Sequence, residues 1–284
     1  MKSVILILFL TCLVKVQGSC GLENCKMPPK GKFNKNLFSI EMGARYTSFS
    51  YRDKDGYYEE ISLRSSFISK SDWMLDLKIP IISYHYNGKE TTGFSNPILS
   101  GEKWFKTGSF SPLFGLQVEL PLGEEDKGIA PNHFELLPYV GFGFQSGSYS
   151  LRVVAGYRFS LDGSENSDTV AVSSGKKYHA SHVSENANLT LAELGPQVVN
   201  FHAEQEAQLF FLGGRSFLSD RFNFGLQATI RQATAEENKL LLMYGGPTIQ
   251  YNNQHFKLQS QFNIPFSTDE KMNWNIGLNL IVSF

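Results

Sequence analysis

The stretch MNWNIGLNLIVSF at residues 272–284 places an apolar residue at every second position, and this period recurs along most of the chain. Successive side chains of a strand point to opposite sides. Trp274, Ile276, Leu278, Leu280, Val282 and Phe284 therefore share one face of an extended segment. Asn273, Asn275, Gly277, Asn279 and Ser283 share the other, with Ile281 as the exception. One such strand also fits a soluble sheet, so the weight lies in the repetition. HFKLQSQFNIPF, RFNFGLQATIR, NFHAEQEAQLFF and YSLRVVAGYRF all repeat the pattern, with Phe, Leu, Ile and Val opposed to Gln, Asn, Arg and Glu. Twelve strands are predicted near 37–51, 57–69, 72–86, 94–106, 109–121, 133–145, 148–160, 199–213, 221–234, 239–251, 254–266 and 272–284. Pro97 and Gly101 interrupt the fourth, which is included partly because a barrel with both ends on one side needs an even number.

A secreted β-sandwich would also alternate, so the two faces must be compared in kind. One face carries charges of both signs, namely Glu41, Arg45, Arg64, Asp76, Lys78, Glu119, Glu135, Arg152, Arg158, Glu204, Glu206, Arg231 and Lys257. The other is read as almost uncharged. Strands of about 12 residues exceed the mode of about 5 to 6 in soluble sheets and suit a tilted crossing of a bilayer, which takes about 9 to 11. Tyr46, Tyr51, Tyr57, Trp73, Tyr149, Tyr157, Tyr251 and Trp274 lie near strand ends, where aromatic rings form interfacial girdles. The expectation is all-β: one up-and-down antiparallel transmembrane β-barrel of about 12 strands over residues 37–284. Short connections such as KTGS, QSGS and YNNQ are assigned to the periplasmic side. Longer ones, including 161–198, are assigned outside.

The chain of 284 residues has 26 basic and 27 acidic residues and no basic stripe, which excludes a nucleic-acid binder held by phosphate neutralisation. Aromatic content is 13%, with 23 Phe, yet mean hydropathy is only -0.20; large apolar side chains must alternate with polar ones. Residues 1–19 read as a secretory signal, with Lys2, an apolar run from Val4 to Val14, and small residues Gly18 and Ser19. Residues 20–36 then form a basic, Pro-rich periplasmic N-terminal segment suited to a tether or a partial plug. It holds Cys20 and Cys25. Three fates are open to these thiols: a local disulfide, lipid attachment at Cys20, or soft-metal capture, for which two sulfurs without a nearby His are an incomplete set.

The stretch FGLQVELPLG, then a polar loop, then LLPYVGFG, resembles the outer-membrane β-barrel transporters grouped with the meta-pathway phenol-degradation proteins. There a strand ends in a Pro-x-Gly element before an outer loop, as at Pro121 and Gly123 here. The resemblance covers roughly residues 37–284 as a pattern. It implies a porin-like barrel of a Gram-negative outer membrane that passes small solutes, including small hydrophobic or aromatic molecules. The terminal Phe284 looks like the signal read by the outer-membrane insertion machinery.

No enzyme is expected. YHYNGKETTGFSN resembles only superficially the His, Ser and Asn set of outer-membrane phospholipases, because Asn87 stands two positions after His85 where a nucleophilic hydroxyl is required. His179 and His182 have a spacing that binds metal on a helix, but they fall in a polar outer loop. Neither a cofactor nor a metal is expected. The candidate lumen-lining residues are Arg152, Arg158, Glu204, Glu206, Arg231 and Lys257, since mixed charge facing a pore can select permeant molecules. The alternative is a non-conducting structural or surface-interaction barrel that binds a partner through its long outer loop.

Overall fold

The computed structural model describes residues 36–51, 54–86, 88–124, 127, 129–130, 134–161, 169–171, 177–181, 205–218, 221–234, 241–253, 255–267 and 272–284. Cys20, Cys25, Glu204, His182 and the expected signal at 1–19 lie outside the described residues. The strands in chain order are β1 (Leu37–Tyr51), β2 (Lys54–Ile68), β3 (Trp73–Tyr86), β4 (Lys89–Phe94), β5 (Ile98–Trp104), β6 (Phe110–Glu119), β7 (Phe134–Ser146) and β8 (Tyr149–Leu161). There follow β9 (Thr169–Ala171), β10 (Lys177–Ser181), β11 (Gln205–Phe217), β12 (Phe222–Ala233), β13 (Leu241–Asn252), β14 (Phe256–Pro265) and β15 (Met272–Ser283).

All but β9 and β10 belong to one antiparallel sheet that closes on itself. Each neighbouring pair is consecutive in the wall, β1 pairs with both β2 and β15, and β2 pairs with β3. At the seam Phe284 N–H donates to the Phe38 carbonyl at 2.9 Å. Because β4 and β5 both lie on β3, the 13 segments make a closed barrel of 12 staves. Closure leaves no free sheet edge except the short far side of β4, and pairing of this kind is the condition for crossing hydrocarbon with strands. β9 and β10 pair only with each other, in the connection between β8 and β11.

The outer surface is apolar. Leu75, Val140 and Leu226 are 53%, 62% and 62% exposed, and Phe114, Phe211, Ile249, Phe262 and Ile276 share their orientation. An apolar belt of this extent on all sides would be an aggregation surface in water and is the lipid-facing surface of an outer-membrane barrel. The inward face alternates with it, as in β3, whose residues run exposed and buried in strict turn from Trp73 to Pro80.

Two expectations are corrected. The fourth strand is not one piece over 94–106. Pro97 has no N–H to give to a ladder, and Ser95 and Asn96 turn inward and are buried, splitting the stave into β4 and β5. Ser95 N–H keeps contact with β3 through the Pro80 carbonyl, 3.0 Å away. The outer face also carries more charge than expected, all of it at the rims. Glu59, His85 and Glu90 share the outward face at the long-loop end, with His85 Nε2 3.3 Å from Glu59 and 3.7 Å from Glu90. Lys103 and Arg215 point outward at the short-turn end. Charge on a lipid-facing wall costs least at the interfaces, so the middle of the belt stays apolar.

Glycine acts by its size inside the wall. A Cβ on Gly246 would lie 2.0 Å from the Phe262 carbonyl oxygen. With no side chain there, Gln227 reaches across β13 and donates to Asn263 at 2.8 Å, and Asn263 donates to Asn275 at 2.9 Å. Gln227, Asn263 and Asn275 thus form a row of neutral amides across the β12–β15 side of the lumen.

Candidate functional site in the barrel lumen

The inward face of β1–β8, β11 and β12 assembles three clusters. The register sets Glu206 on β11 directly opposite Arg158 on β8. Arg158 reaches Glu206 at 3.0 Å and Glu135 at 3.3 Å, while Arg231 meets Glu206 at 2.7 Å through Nε. Gln208 also donates to Glu206, at 2.7 Å. One carboxylate therefore joins two guanidiniums, and Arg158, Glu135 and Glu206 have no accessible surface. Such buried charge is tolerable only when paired and hydrogen-bonded.

Nearer the short turns, Arg152 grips Glu102 through both terminal nitrogens, at 3.0 and 2.5 Å. Tyr139 donates its hydroxyl to the same carboxylate at 2.9 Å, and the Trp104 indole N–H is a further donor to it. Met74, Leu113, Leu137, Val154 and Phe210 pack with Trp104 and Tyr139 around this pair. The pair thus sits inside an apolar cluster, with Arg152 and Glu102 both without solvent contact. On the β2–β3 wall Arg64 pairs with Asp76 at 3.0 Å and Lys78 with Glu60 at 3.0 Å.

The third cluster is aromatic. Phe49, Tyr58, Ile82, Tyr84 and Tyr86 form a cup on the inward face of β1–β3 at the long-loop end, covered by Ile129. Phe49 stacks on Tyr84 and Tyr86, with ring centroids 5.4 and 5.9 Å apart. The cover comes from the connection after β6, which bends in over β4. Glu124 N–H donates to the Phe94 carbonyl at 2.9 Å, and the Glu124 carboxylate accepts from Phe94 N–H at 2.8 Å. Gly123 N–H donates to the Asn96 side chain at 2.9 Å. This latch stands where β4 has no strand partner on its far edge, since β6 ends at Glu119 opposite Ile98. Gly93 permits it: a Cβ there would lie 2.0 Å from a Glu124 carboxylate oxygen and 2.8 Å from the Ile129 side chain.

The hydrogen bond from Lys127, and after it the one from Phe94 N–H, holds the Glu124 carboxyl below the ordinary carboxylate range. Folding lowers this pKa, so the contribution is in place above the ordinary carboxylate range and is lost as pH falls through the lowered value. Protection of the Phe94 amide against hydrogen exchange is therefore expected to fall as pH drops below the ordinary carboxylate range, and in Glu124→Ala to be reduced already at neutral pH. Exchange indifferent to both changes would contradict the latch.

Of the sequence candidates, Arg158, Glu206 and Arg231 meet in one cluster, and Arg152 faces inward in another. Lys257 lies on the inward side of β14, across from Ile281 and exposed at the short-turn mouth. Sequence reasoning missed Glu102, Trp104 and the cup. Glu102 and Trp104 are two apart in GEKW, which is the spacing of one strand face, but the broken fourth stave hid their phase. His85 lies on the outer surface, stacked on Tyr57 at 4.4 Å. Among the described residues, no group of three His, Cys, Asp or Glu is placed to hold a metal.

No protein-family model matches the chain, and no curated protein matches it in sequence. Solved structures do match in fold. An outer membrane channel from Pseudomonas putida F1 superposes with a TM-score of 0.68 at 10% identity, over 91% of this chain and 100% of that one. The KdgM porin, in complex with disordered oligogalacturonate, gives 0.53 at 11% identity over 87% and 99%. The NanC porin gives 0.51 at 12% identity over 87% and 98%. At these identities the likeness establishes the fold, a closed antiparallel outer-membrane β-barrel of 12 staves.

Proposed function

We propose that this barrel passes small solutes across an outer membrane, with small apolar or aromatic molecules as its cargo and the cup of Phe49, Tyr58, Ile82, Tyr84 and Tyr86 as the station that binds them. The observation that carries this reading is an inward-facing cluster of aromatic side chains into which a single aliphatic side chain, Ile129, packs from a latched loop. Such a lining favours apolar ligands by area and ring contacts, and Ile129 occupies the volume that a ligand would take. The fold likeness to channels and porins supports a passage role. The resemblance to the meta-pathway phenol-degradation transporters points to the same solute class. Arg152, Arg158, Glu206 and Arg231 act in this reading as posts that brace the other side of the lumen, from β5 to β12, through their buried ion pairs.

Uptake of 1-naphthol and of glucose by lipopolysaccharide-containing proteoliposomes separates the possibilities. The chain is expected to accelerate 1-naphthol but not glucose. Ile129→Glu, which puts a charge over the cup, is expected to slow 1-naphthol about tenfold, the equivalent of ~1.4 kcal/mol. Acceleration of both solutes would mean a water-filled pore. Acceleration of neither would favour the second reading, a non-conducting barrel whose outer loop binds a partner, for which the fully buried ion pairs of the lumen speak.

A further inference from the structure

We propose that the short-turn rim carries two notches for the phosphoryl headgroup of an anionic phospholipid: Lys103 over Trp73 and Phe105, and Arg215 over Tyr149 and Phe217. Both cations lie on the lipid-facing side of the wall. Lys103 Nζ stands 5.5 Å from the Trp73 ring centre and 5.8 Å from that of Phe105. The Arg215 guanidinium carbon stands 5.2 Å from Tyr149 and 5.0 Å from Phe217. The rings beneath them are open to the bilayer, Trp73 at 45% and Tyr149 at 56% exposed. A cation laid on an interfacial ring keeps its charge at phosphate height while its stem and the ring sit among acyl chains.

Three further observations point to an anion. Neither Lys103 nor Arg215 has a carboxylate partner among the described residues. Lys103 donates to the Ser71 carbonyl, which anchors the ammonium at the turn and leaves two of its three donors for a ligand. Among the described residues the rim around them is basic: Lys70 and Arg221 lie in turns at the same end, and Lys106 and Lys257 at its inner mouth, against Asp72, which Lys106 already binds at 2.7 Å. The opposite rim has the other sign on its outer face, with Glu59 and Glu90 flanking His85. β6, β7 and β8 separate the two cations, so each notch holds its own lipid. Short turns face the periplasm in such barrels, which assigns the lipids to the periplasmic leaflet. Nothing in this proposal depends on what crosses the lumen.

Native mass spectrometry of the full chain, purified in neutral detergent and titrated with palmitoyl-oleoyl phosphatidylglycerol, counts the retained lipids. Two tightly held molecules are expected, with phosphatidylcholine of the same acyl chains held more weakly. Lys103→Gln and Arg215→Gln should each weaken one site about fivefold, the effect of one cation at an anionic surface, and the double variant should weaken both sites to that degree. Arg215→Lys should keep its lipid, which covers the case in which Arg215→Gln fails to fold. Heat-dependent gel mobility verifies the fold of each variant. Retention by the double variant equal to wild type, or equal binding of the two lipids, would overturn the proposal. Displacement of the lipid by inorganic phosphate would also overturn it, by showing a site for the free anion.

Discussion

Glu206→Ala is expected to cost the barrel about 3–5 kcal/mol, the usual penalty for removing one member of a buried ion cluster. Glu206 accepts from Arg158, Arg231 and Gln208 at once, and none of these groups can recover hydration where they stand. Arg158 keeps the Glu135 contact at 3.3 Å, whereas Arg231 loses both of its bonds to Glu206. Glu206→Gln keeps the shape but surrenders the charge, and a smaller loss is expected. The urea midpoint for unfolding from lipid vesicles measures both. Equal stability of wild type and Glu206→Ala would show that the cluster is wetted rather than sealed.

Trp104→Ala should have a second large effect, with two readouts. Trp104 is among the largest side chains with almost no solvent contact, and deleting a buried aromatic costs about 3–5 kcal/mol. It also donates to Glu102, so its loss both opens a cavity in the apolar cluster and frees one acceptor at the Arg152 ion pair. Water entering that cavity would wet a cluster that is dry in the wild type and widen the path past it. In planar bilayers, small or absent current steps are therefore expected for wild type and larger, flickering steps for Trp104→Ala. Unchanged conductance in a variant shown to be less stable would mean that the constriction lies elsewhere.

The wall was legible in the sequence because lipid outside and polar groups inside impose a period of two on every stave. Residues such as Phe222, Phe224 and Leu226 announce their face without any partner being known. The interior was legible only as composition. Arg158 and Glu206 lie 48 positions apart, and only the β8–β11 register brings them together. The same holds for the cup, whose residues come from three strands and a loop. Phe49, Leu137, Val154 and Phe210 are apolar residues on the face otherwise reserved for charge, and Ile281 shows the same break in phase. Those exceptions were the available signal that parts of the lumen are packed rather than wet. Pro97 marked the weak stave but could not show that a loop would mend it, because the mending bonds run from backbone and from Glu124.

The outward rows meet acyl chains while the interior is sealed from them, and the three tryptophans report on both. Trp73 and Trp274 are 45% and 37% exposed on the outer wall, near opposite rims, while Trp104 is 1% exposed inside. Single-tryptophan variants, with the other two positions changed to Phe, can be folded into vesicles of brominated phosphatidylcholine and their fluorescence compared with that in the unbrominated lipid. Strong quenching of Trp73 and Trp274 with Trp104 left bright is the expected result. Quenching of Trp104 to the same degree, or of none of the three, would contradict it.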